Sequence, residues 1–386
     1  MEQNNKKEIV FKRKIDLATF QEKGRVIIVY GPRRVGKTTI SKEFLSNFKD
    51  MDKVKYAVGD DLILQNLFNN QDREKILSYV KPYDAILIDE AQQIKNIGIA
   101  VKMIIDEYRD MTIILTGSSS FILSQTISDP LIGRNYSTIL LPISLMELPG
   151  NDFDKYRNLE EYIIYGMYPE VLAQSDVKKK KLKLQEIISS YLFKDALSFD
   201  KLKSPELLVN IIKALAFQIG SEVSIAKLAK DVGEKDEKKV LRYLTLLEKN
   251  FIIKKISAYS KNIRNEINKK NKYYFYDTGI RNAIIERFVG FENRDGFDIG
   301  GLFENFVIME LYKKETIENP YFNNIYFWRS TISGEVDIVI LKDDKIYAYE
   351  CKFKKMNTKN LYLFKESYKD AEINIINKDN LLNFLL

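Results

Sequence analysis

The sequence predicts an α/β protein with a parallel-sheet core, a helical middle and an α+β C-terminal part. Three patterns support this prediction. A glycine-rich loop, residues 31–38, stands between an apolar run and a run with helical spacing. A second apolar run, residues 85–88, ends in two acidic residues, and residues 335–352 form strand-like apolar runs that carry further acidic residues. At 386 residues, 45% of them hydrophobic, the chain is long enough for several domains. We expect three domains, at 1–150, 151–280 and 281–386.

The first element is a strand, a loop and a helix in that order. Val26 to Val29 are consecutive apolar residues, as in a strand buried on both faces, and Thr39 to Phe48 have helical spacing. The loop between them fits G-x-x-x-x-G-K-[ST], a P-loop, in which backbone N–H groups and the helix N-terminus bind phosphates. Lys37 is expected to reach the β- and γ-phosphates, and the hydroxyl of Thr38 to ligate Mg²⁺. The two loop arginines either add charge near the phosphates or are simply exposed.

The second apolar run ends in Asp89 and Glu90, an acidic pair at the end of a buried strand. Asp89 is expected to hold Mg²⁺ through water, and Glu90 to orient or deprotonate the attacking water. A third run, Thr112 to Leu115, is followed by hydroxyl residues. Of these, Ser118 or Thr116 could contact the attacking water or the γ-phosphate, or could instead cap the next helix. ATP and Mg²⁺ are the predicted cofactors, and the predicted nucleotide-binding residues are Gly31, Pro32, Arg33, Arg34, Val35, Gly36, Lys37, Thr38, Thr39 and Asp89.

The order of these segments resembles that of the archaeal-type AAA+ P-loop ATPases of archaea and bacteria. The resemblance rests on the P-loop, Ile88-Asp89-Glu90-Ala91-Gln92, Leu115-Thr116-Gly117-Ser118-Ser119 and Gly133-Arg134. It implies that Arg134 senses the γ-phosphate, either in its own subunit or as a finger across a subunit boundary. The alternative is that Arg134 forms a structural ion pair. The resemblance also implies that a winged-helix region and a C-terminal domain of unknown function follow the ATPase core. A homo-oligomer or a partner protein is left open.

Composition excludes several kinds of chemistry. The chain has no histidine, which removes Ser-His-Asp and Cys-His catalysis and histidine zinc sites. A metal here is therefore expected to be a hard, oxygen-ligated ion such as Mg²⁺ or Mn²⁺. A single cysteine, Cys351, excludes an internal disulfide. There is no apolar run of 18 residues and the first residues are polar, so we expect a cytoplasmic protein without a membrane partner.

The middle of the chain predicts a winged helix. Residues 224–229 and 238–247 have helical spacing and are separated by a glycine turn, and two strand-like runs follow them. The segment from Lys235 to Lys272 holds 12 Lys or Arg against 4 Asp or Glu, which points to a polyanionic partner. We therefore predict DNA binding, with the alternative that the winged helix is a rigid packing module. The predicted DNA-binding residues are Lys238, Lys239, Arg242, Lys261 and Arg264.

The C-terminal part carries the pattern of PD-(D/E)xK nucleases. Asp337 is followed, after twelve residues, by Glu350 and Lys352, and Glu304 lies upstream in a predicted helix, residues 298–312. Residues two apart in a strand face the same side, so Glu350 and Lys352 should converge, and a hairpin would bring Asp337 beside them. The carboxylates would then chelate Mg²⁺, while Lys352 activates water or stabilises the negative charge. We expect a restriction-endonuclease-like fold.

These patterns together predict Mg²⁺-dependent ATP binding and hydrolysis coupled to DNA binding or processing. The alternative is a nucleotide-controlled switch or adaptor in which the nuclease-like domain is inactive. The predicted catalytic residues are Lys37, Glu90, Ser118, Arg134, Glu350 and Lys352. The predicted metal ligands are Thr38, Asp89, Glu304, Asp337 and Glu350.

Overall fold

The computed structural model describes residues 11–118, 130–190, 204–260, 270–330, 334–353 and 359–386. Its internal contacts divide the chain into two compact units. The first unit consists of residues 13–141 and 249–251, and the second of residues 142–248 and 252–386 together with residues 11–12. The predicted boundary at residue 280 therefore falls inside one compact unit. No helix among the described residues is long and apolar enough to cross a membrane.

A parallel sheet forms the centre of the first unit. Its described strands are β1 (Val26–Tyr30), β2 (Val54–Val58), β3 (Ala85–Asp89), β4 (Thr112–Gly117) and β5 (Asn135–Ile139). They lie in the order β2-β3-β4-β1-β5, and every neighbouring pair is parallel. The described helices are α1 (Lys37–Leu45), α2 (Leu62–Asn69), α3 (Arg73–Val80) and α4 (Ile97–Glu107). The predicted α/β class with a parallel-sheet core is confirmed.

Burial explains the apolar runs of this sheet. Nearly every residue of β1, β3 and β4 is buried, as expected for parallel strands that are covered on both faces. On one face, Phe68 of α2, Val80 of α3 and Ile104 of α4 join the strands in one hydrophobic cluster. Because β4 lies between β1 and β3, the carboxyl ends of these three strands are neighbours at one edge of the sheet. This edge carries the P-loop, the acidic pair and the hydroxyl residues.

The second unit contains a mixed sheet of seven described strands. They are β6 (Glu222–Val223), β7 (Ile253–Ala258), β8 (Asn271–Phe275), β9 (Ile325–Arg329), β10 (Glu335–Lys342), β11 (Lys345–Cys351) and β12 (Glu372–Ile376). Their order is β12-β11-β10-β9-β7-β8-β6. The parallel pairing of β7 with β9, at Ser257 with Tyr326 and Ala258 with Phe327, joins the middle strands to the C-terminal ones. Residues from both predicted domains therefore share one sheet.

The second unit also contains helices. Those described are α5 (Asp152–Arg157), α6 (Leu159–Tyr165), α7 (Pro169–Leu172), α8 (Val177–Ser189), α9 (Pro205–Phe217), α10 (Ile225–Asp231), α11 (Glu237–Lys249), α12 (Thr278–Ile284), α13 (Gly296–Glu318), α14 (Lys359–Ser367) and α15 (Leu381–Leu385). The longest is α13, with 23 residues, most of them buried. Helices α10 and α11 precede β7 and β8 in the order expected of a winged helix, and that interpretation stays a prediction.

Candidate functional site

The P-loop lies between β1 and α1, with Gly36 as the N-cap of α1. Gly31 has a φ of +144°, and a Cβ atom there would lie 2.0 Å from the carbonyl oxygen of Leu140. A side chain would displace the segment that follows β5, so close packing requires glycine at this position. Arg13, which sequence reasoning missed, braces the same loop. Its guanidinium donates to the carbonyl oxygens of Val35 and Leu141, at 2.8 Å each.

Lys37 is folded over its own loop. The residue is 5% exposed, and its Nζ donates to the carbonyl oxygens of Gly31 at 3.0 Å and Pro32 at 2.7 Å. Hydrogen bonds from an ammonium to an anionic acceptor are stronger than those to neutral carbonyls. A phosphate on the loop is therefore the better partner for this buried ammonium.

Two hydroxyl groups hold the carboxylate of Asp89 at the end of β3. Thr38 Oγ1 donates to Asp89 Oδ2 at 2.7 Å, and Thr116 Oγ1 donates to Asp89 Oδ1. Thr116 lies on β4 and is fully buried. The strand order explains the contact, because β4 lies between the P-loop strand and β3. The structure thus brings together Thr38 and Asp89, two of the predicted metal ligands, and Thr116, one of the two predicted hydroxyl candidates.

Glu90 is held in an uncommon backbone conformation beside Asp89. Its φ is +50°, and such strain in a residue other than glycine is typical of functional sites. Its carboxylate oxygen Oε2 accepts from Ser118 Oγ at 3.3 Å and from the amide of Gln92. Gln92 also donates to Ser118 Oγ at 3.1 Å. Glu90, Ser118 and Gln92 therefore form one hydrogen-bonded cluster, and the predicted roles of Glu90 and Ser118 toward water and phosphate stay predictions.

These groups fit a nucleotide and its Mg²⁺. The loop supplies backbone N–H groups and a buried ammonium, while Thr38 and Asp89 supply the oxygen ligands that Mg²⁺ prefers. Among the described residues, no group of three or more His, Cys, Asp or Glu side chains is arranged to hold a metal ion. Mg²⁺ is usually bound through one or two carboxylates and the substrate phosphates, so this arrangement is the one expected for a metal that arrives with ATP.

Arg134 does not reach this site within its own chain. Its carbonyl oxygen accepts from the N–H of Val26, at the start of β1, at 2.9 Å. The P-loop follows the other end of β1, roughly 17 Å away along five residues of extended strand. The guanidinium forms an ion pair with Asp106 of α4. The prediction that Arg134 senses the γ-phosphate in its own subunit is therefore wrong. A finger role across a subunit boundary stays a prediction.

A second cluster of charged residues lies in the mixed sheet. The register that pairs Ile338 with Tyr349 places Asp337 and Glu350 on facing positions of β10 and β11, as predicted. Asp337 Oδ2 accepts from the N–H of Cys351 at 2.7 Å. Lys352 Nζ lies 2.6 Å from Glu350 Oε1. Glu350 Oε2 is buried and has no hydrogen-bond partner among the described residues.

Burial and like charge raise the pKa of both carboxylates. The pKa of Asp337 lies well above its usual range because the group is buried, and Glu304 and Glu350 add negative charge nearby. Burial also raises the pKa of Glu350, although Lys352 opposes the shift. Both shifts favour the protonated, neutral form of these buried carboxyl groups when no cation is bound. An unpartnered carboxylate oxygen between such groups fits a divalent cation held by Asp337 and Glu350.

Glu304 has partners that the sequence did not reveal. Its Oε1 accepts from Lys272 Nζ at 3.0 Å and from the hydroxyl of Tyr274. Lys272 is 1% exposed and also pairs with Glu335. Burial alone would lower the pKa of Lys272, but the charges of Glu304 and Glu335 together with Tyr274 raise it above its ordinary value. Glu304 is therefore paired with a protein cation in this structure, and its predicted role as a metal ligand stays a prediction.

The side chain of Asn305 fixes the position of Glu304. Asn305 is fully buried; its Oδ1 accepts from the N–H of Phe275 at 2.7 Å, and its Nδ2 donates to the carbonyl oxygen of Phe275 at 2.8 Å. These two bonds attach α13 to β8. Lys272 and Tyr274 share one face of β8, since they are two residues apart. The fold therefore presents both side chains to Glu304.

The predicted DNA-binding residues fall into two groups. Lys238 and Arg242 are exposed on α11. Lys239 forms an ion pair with Glu234 at 2.7 Å, and this hydrogen bond lowers the pKa of Glu234 to about 2. Lys261 and Arg264 lie outside the described residues. The structure thus leaves the prediction of DNA contact untested.

Comparison with known proteins matches three parts of the chain to families. Residues 23–148 match an AAA domain. Residues 156–290 match a domain of unknown function, DUF8612, and residues 299–383 match a domain of unknown function, DUF4143. The first match agrees with the P-loop and the parallel sheet of the first unit, so residues 23–148 are similar to AAA domains. The other two matches leave the winged-helix and nuclease-like interpretations as predictions.

Two relatives cover most of the chain. An uncharacterized protein of Methanocaldococcus jannaschii is 28% identical over 392 residues, which span 97% of this chain and 82% of the relative. An uncharacterized protein of Haemophilus influenzae is 24% identical over 375 residues, which span 92% of this chain and 90% of the relative. Among solved structures, the Walker-type ATPase of Pyrococcus abyssi is similar with a TM-score of 0.45 and 18% identity. That similarity covers 67% of this chain and 91% of that chain.

Proposed function

We propose that this protein binds and hydrolyses ATP with Mg²⁺, and that its nucleotide state is coupled to DNA binding or processing. The observation that supports hydrolysis is the arrangement of Glu90. A carboxylate in a strained backbone conformation lies directly after the Asp89–Thr38 pair and is oriented by Ser118 and Gln92.

In this mechanism each residue of the site has a separate role. The loop N–H groups and Lys37 bind the phosphates, and Thr38 and Asp89 hold Mg²⁺. Bound Mg²⁺ would neutralise charge that develops on the phosphate oxygens. Thr116 fixes Asp89 through its hydroxyl. Glu90 orients the attacking water and accepts its proton. A well-placed general base typically raises the reaction rate about 10²- to 10⁴-fold.

The test is ATP hydrolysis with Mg²⁺ by the full chain, with and without duplex or branched DNA. Lys37→Ala should reduce hydrolysis by at least about 100-fold, because the buried ammonium serves the phosphates. Lys42→Ala is the matched control, since Lys42 is exposed on the same helix. Normal hydrolysis in Lys37→Ala would refute the assignment of the site. Stimulation by DNA supports the coupling, and hydrolysis that is indifferent to DNA favours a protein-directed switch or adaptor.

A second candidate function is cleavage of a phosphodiester by the cluster of Asp337, Glu350 and Lys352 in the mixed sheet, here called the nuclease-like centre. The unpartnered, buried Oε2 of Glu350 beside Asp337 favours it, because this oxygen is available to a divalent cation. Asp337 and Glu350 would hold that cation, which would polarise the phosphoryl oxygen. Lys352 would stabilise the developing negative charge.

Nicking of supercoiled DNA tests this second function. Glu350→Gln and Lys352→Met should each abolish nicking if the centre cuts DNA. Lys345→Met is the matched control, because Lys345 lies on the same strand with its side chain 61% exposed. Nicking that persists in Glu350→Gln would come from another source. Absence of nicking in the parent protein, with intact ATP hydrolysis, favours the switch in which this domain is inactive.

A further inference from the structure

Lys272 is buried between two carboxylates of the nuclease-like centre. Its ammonium is 3.0 Å from Glu304 Oε1 and also contacts a carboxylate oxygen of Glu335. The residue is 1% exposed, and the ammonium lies over the ring of Phe327 at 5.3 Å from the ring centroid. An ammonium buried between two carboxylates does for them what a metal ion would do.

The charge of the whole cluster supports this interpretation. Four carboxylates take part, those of Glu304, Glu335, Asp337 and Glu350. Lys272 is paired with the first two, and Lys352 with Glu350. If a bound cation keeps all four carboxylates ionised, their four negative charges are opposed by Lys272 and Lys352, while Arg329 lies closer to Glu222, at 3.3 Å, than to Glu335, at 3.9 Å. The charge of one divalent cation would balance the remainder.

The uncompensated charge lies on one side of the cluster. Glu304 has both Lys272 and Tyr274 as partners, and Glu335 has Arg329 at 3.9 Å in addition to Lys272. The only buried carboxylate oxygen without a partner among the described residues is Oε2 of Glu350. The place for a divalent ion is therefore next to Asp337 and Glu350, and the Glu304 side is already filled.

We propose that Lys272 is a resident cation that limits this centre to a single divalent ion and keeps Glu304 from binding a second one. The proposal rests on the metal-binding part of the second candidate function. It adds to that function the number of bound ions, which is one, and the residue that sets this number, which is Lys272. The ligand class is a hard divalent cation, Mg²⁺ or Mn²⁺.

The experiment counts bound Mn²⁺ in the nucleotide-free full chain, from the electron paramagnetic resonance signal of free Mn²⁺. Every protein carries Asp89→Asn, so that ions at the P-loop site do not contribute. This background protein should bind about one Mn²⁺. Lys272→Met should bind about two, because it frees Glu304 and Glu335 while keeping an apolar stem of similar length. Lys272→Arg keeps a charge and should stay at about one.

Stability gives an independent readout. Lys272→Met should lower the melting temperature in the presence of a chelator, since it leaves the half-buried carboxylates of Glu304 and Glu335 without their shared cation. Mn²⁺ should restore that temperature in Lys272→Met, and should have no comparable effect on Lys272→Arg. The double variant Lys272→Met with Glu304→Gln removes both charges. It should fold and should bind only about one Mn²⁺.

The outcomes separate the two hypotheses. One bound ion in both the background protein and Lys272→Met, without rescue of stability by Mn²⁺, overturns the role of Lys272. No bound ion in the background protein, or a bound ion that Asp337→Asn does not remove, refutes the metal-binding part of the second function. If the background protein binds none and Lys272→Met gains one, the resident cation is supported and the single-ion site is not. If Lys272→Met does not fold, a second ion in Lys272→Gln decides the question, and its absence counts against the proposal.

Discussion

Thr116 offers the sharpest test of the nucleotide site, because sequence reasoning could not choose between it and Ser118. Thr116 is fully buried, donates to Asp89 Oδ1 and accepts from the N–H of Glu90 at 3.3 Å. Thr116→Val keeps the shape and removes the hydroxyl. A hydrogen bond to a charged group contributes about 1.5–3 kcal/mol, so kcat/KM should fall roughly 10- to 150-fold.

Ser118→Ala should have a smaller effect. Its hydroxyl is 3.3 Å from Glu90 Oε2, which is long for a bond between two oxygens, and Gln92 still holds the same carboxylate. A loss of about 0.5–1 kcal/mol corresponds to roughly a two- to fivefold fall in kcat/KM.

The assay is steady-state ATP hydrolysis over a range of Mg²⁺–ATP concentrations, alongside binding of a fluorescent ATP analogue. Thr116→Ser keeps the hydroxyl and is the control for altered shape. The reasoning is refuted if Thr116→Val hydrolyses ATP within about threefold of the parent while the analogue binds normally. It is equally refuted if Ser118→Ala is the more damaging change.

Three further predictions concern the second unit. Gly279→Ala should lower the free energy of unfolding by about 1–3 kcal/mol in urea titrations, because overpacking strains the backbone; the added Cβ would lie 2.1 Å from the carbonyl oxygen of Tyr165. Burial lowers the pKa of Lys254 to about 8 from 10.5. Between pH 8 and pH 10.5 the unfolded chain therefore binds more protons than the folded chain, so the free energy of unfolding should rise with pH by up to about 3 kcal/mol. Lys254→Met should remove this rise, as measured by urea titrations at about pH 8, 9 and 10. If α11 contacts DNA, the double variant Lys238→Ala with Arg242→Ala should reduce the salt slope of binding by about 2, measured by fluorescence anisotropy.

Each of these has a matched control. Gly300→Ala adds a Cβ that has no neighbouring atom within 4 Å, so it should not destabilise the protein. Lys255→Met changes the exposed neighbour of Lys254 on β7 and should leave the pH dependence unchanged. Lys239→Ala should change the salt slope less than Lys238→Ala, because Lys239 is paired with Glu234. The opposite result in any of the three would contradict the structural reason given for it.

Local patterns predicted the parts of the site that follow one strand. The P-loop needs only a strand, a loop and a helix in sequence, and Asp89 and Glu90 need only an apolar strand that ends in acids. The hairpin of β10 and β11 could be predicted in the same way, because its register follows from a short turn and places Asp337 opposite Glu350. In all three cases the contacts are made by residues close in sequence or by strands with a known direction.

The order of the strands in the sheet could not be predicted from local patterns, and neither could the contacts that depend on that order. The family resemblance implied that Arg134 lies near the phosphates. In the sheet, however, β5 lies beside β1 and runs parallel to it, so the start of β5 is at the edge remote from the P-loop. Thr116 gained its contact for the same reason, since β4 lies between the two strands that carry the P-loop and Asp89. Neither fact is visible in local spacing.

In the nuclease-like centre, the family pattern did not identify every residue that forms the site. Its motif supplies Glu304, Asp337, Glu350 and Lys352, but the partner of Glu304 comes from β8, which belongs to a different predicted domain. The pairing of β7 with β9 makes that contribution part of the same sheet. A C-terminal fragment that begins at residue 281 would lose Lys272 and the three strands β6, β7 and β8, and would leave Glu304 without its cation. The chemistry of this centre therefore has to be measured in the full chain, where the residue that balances its charge is present.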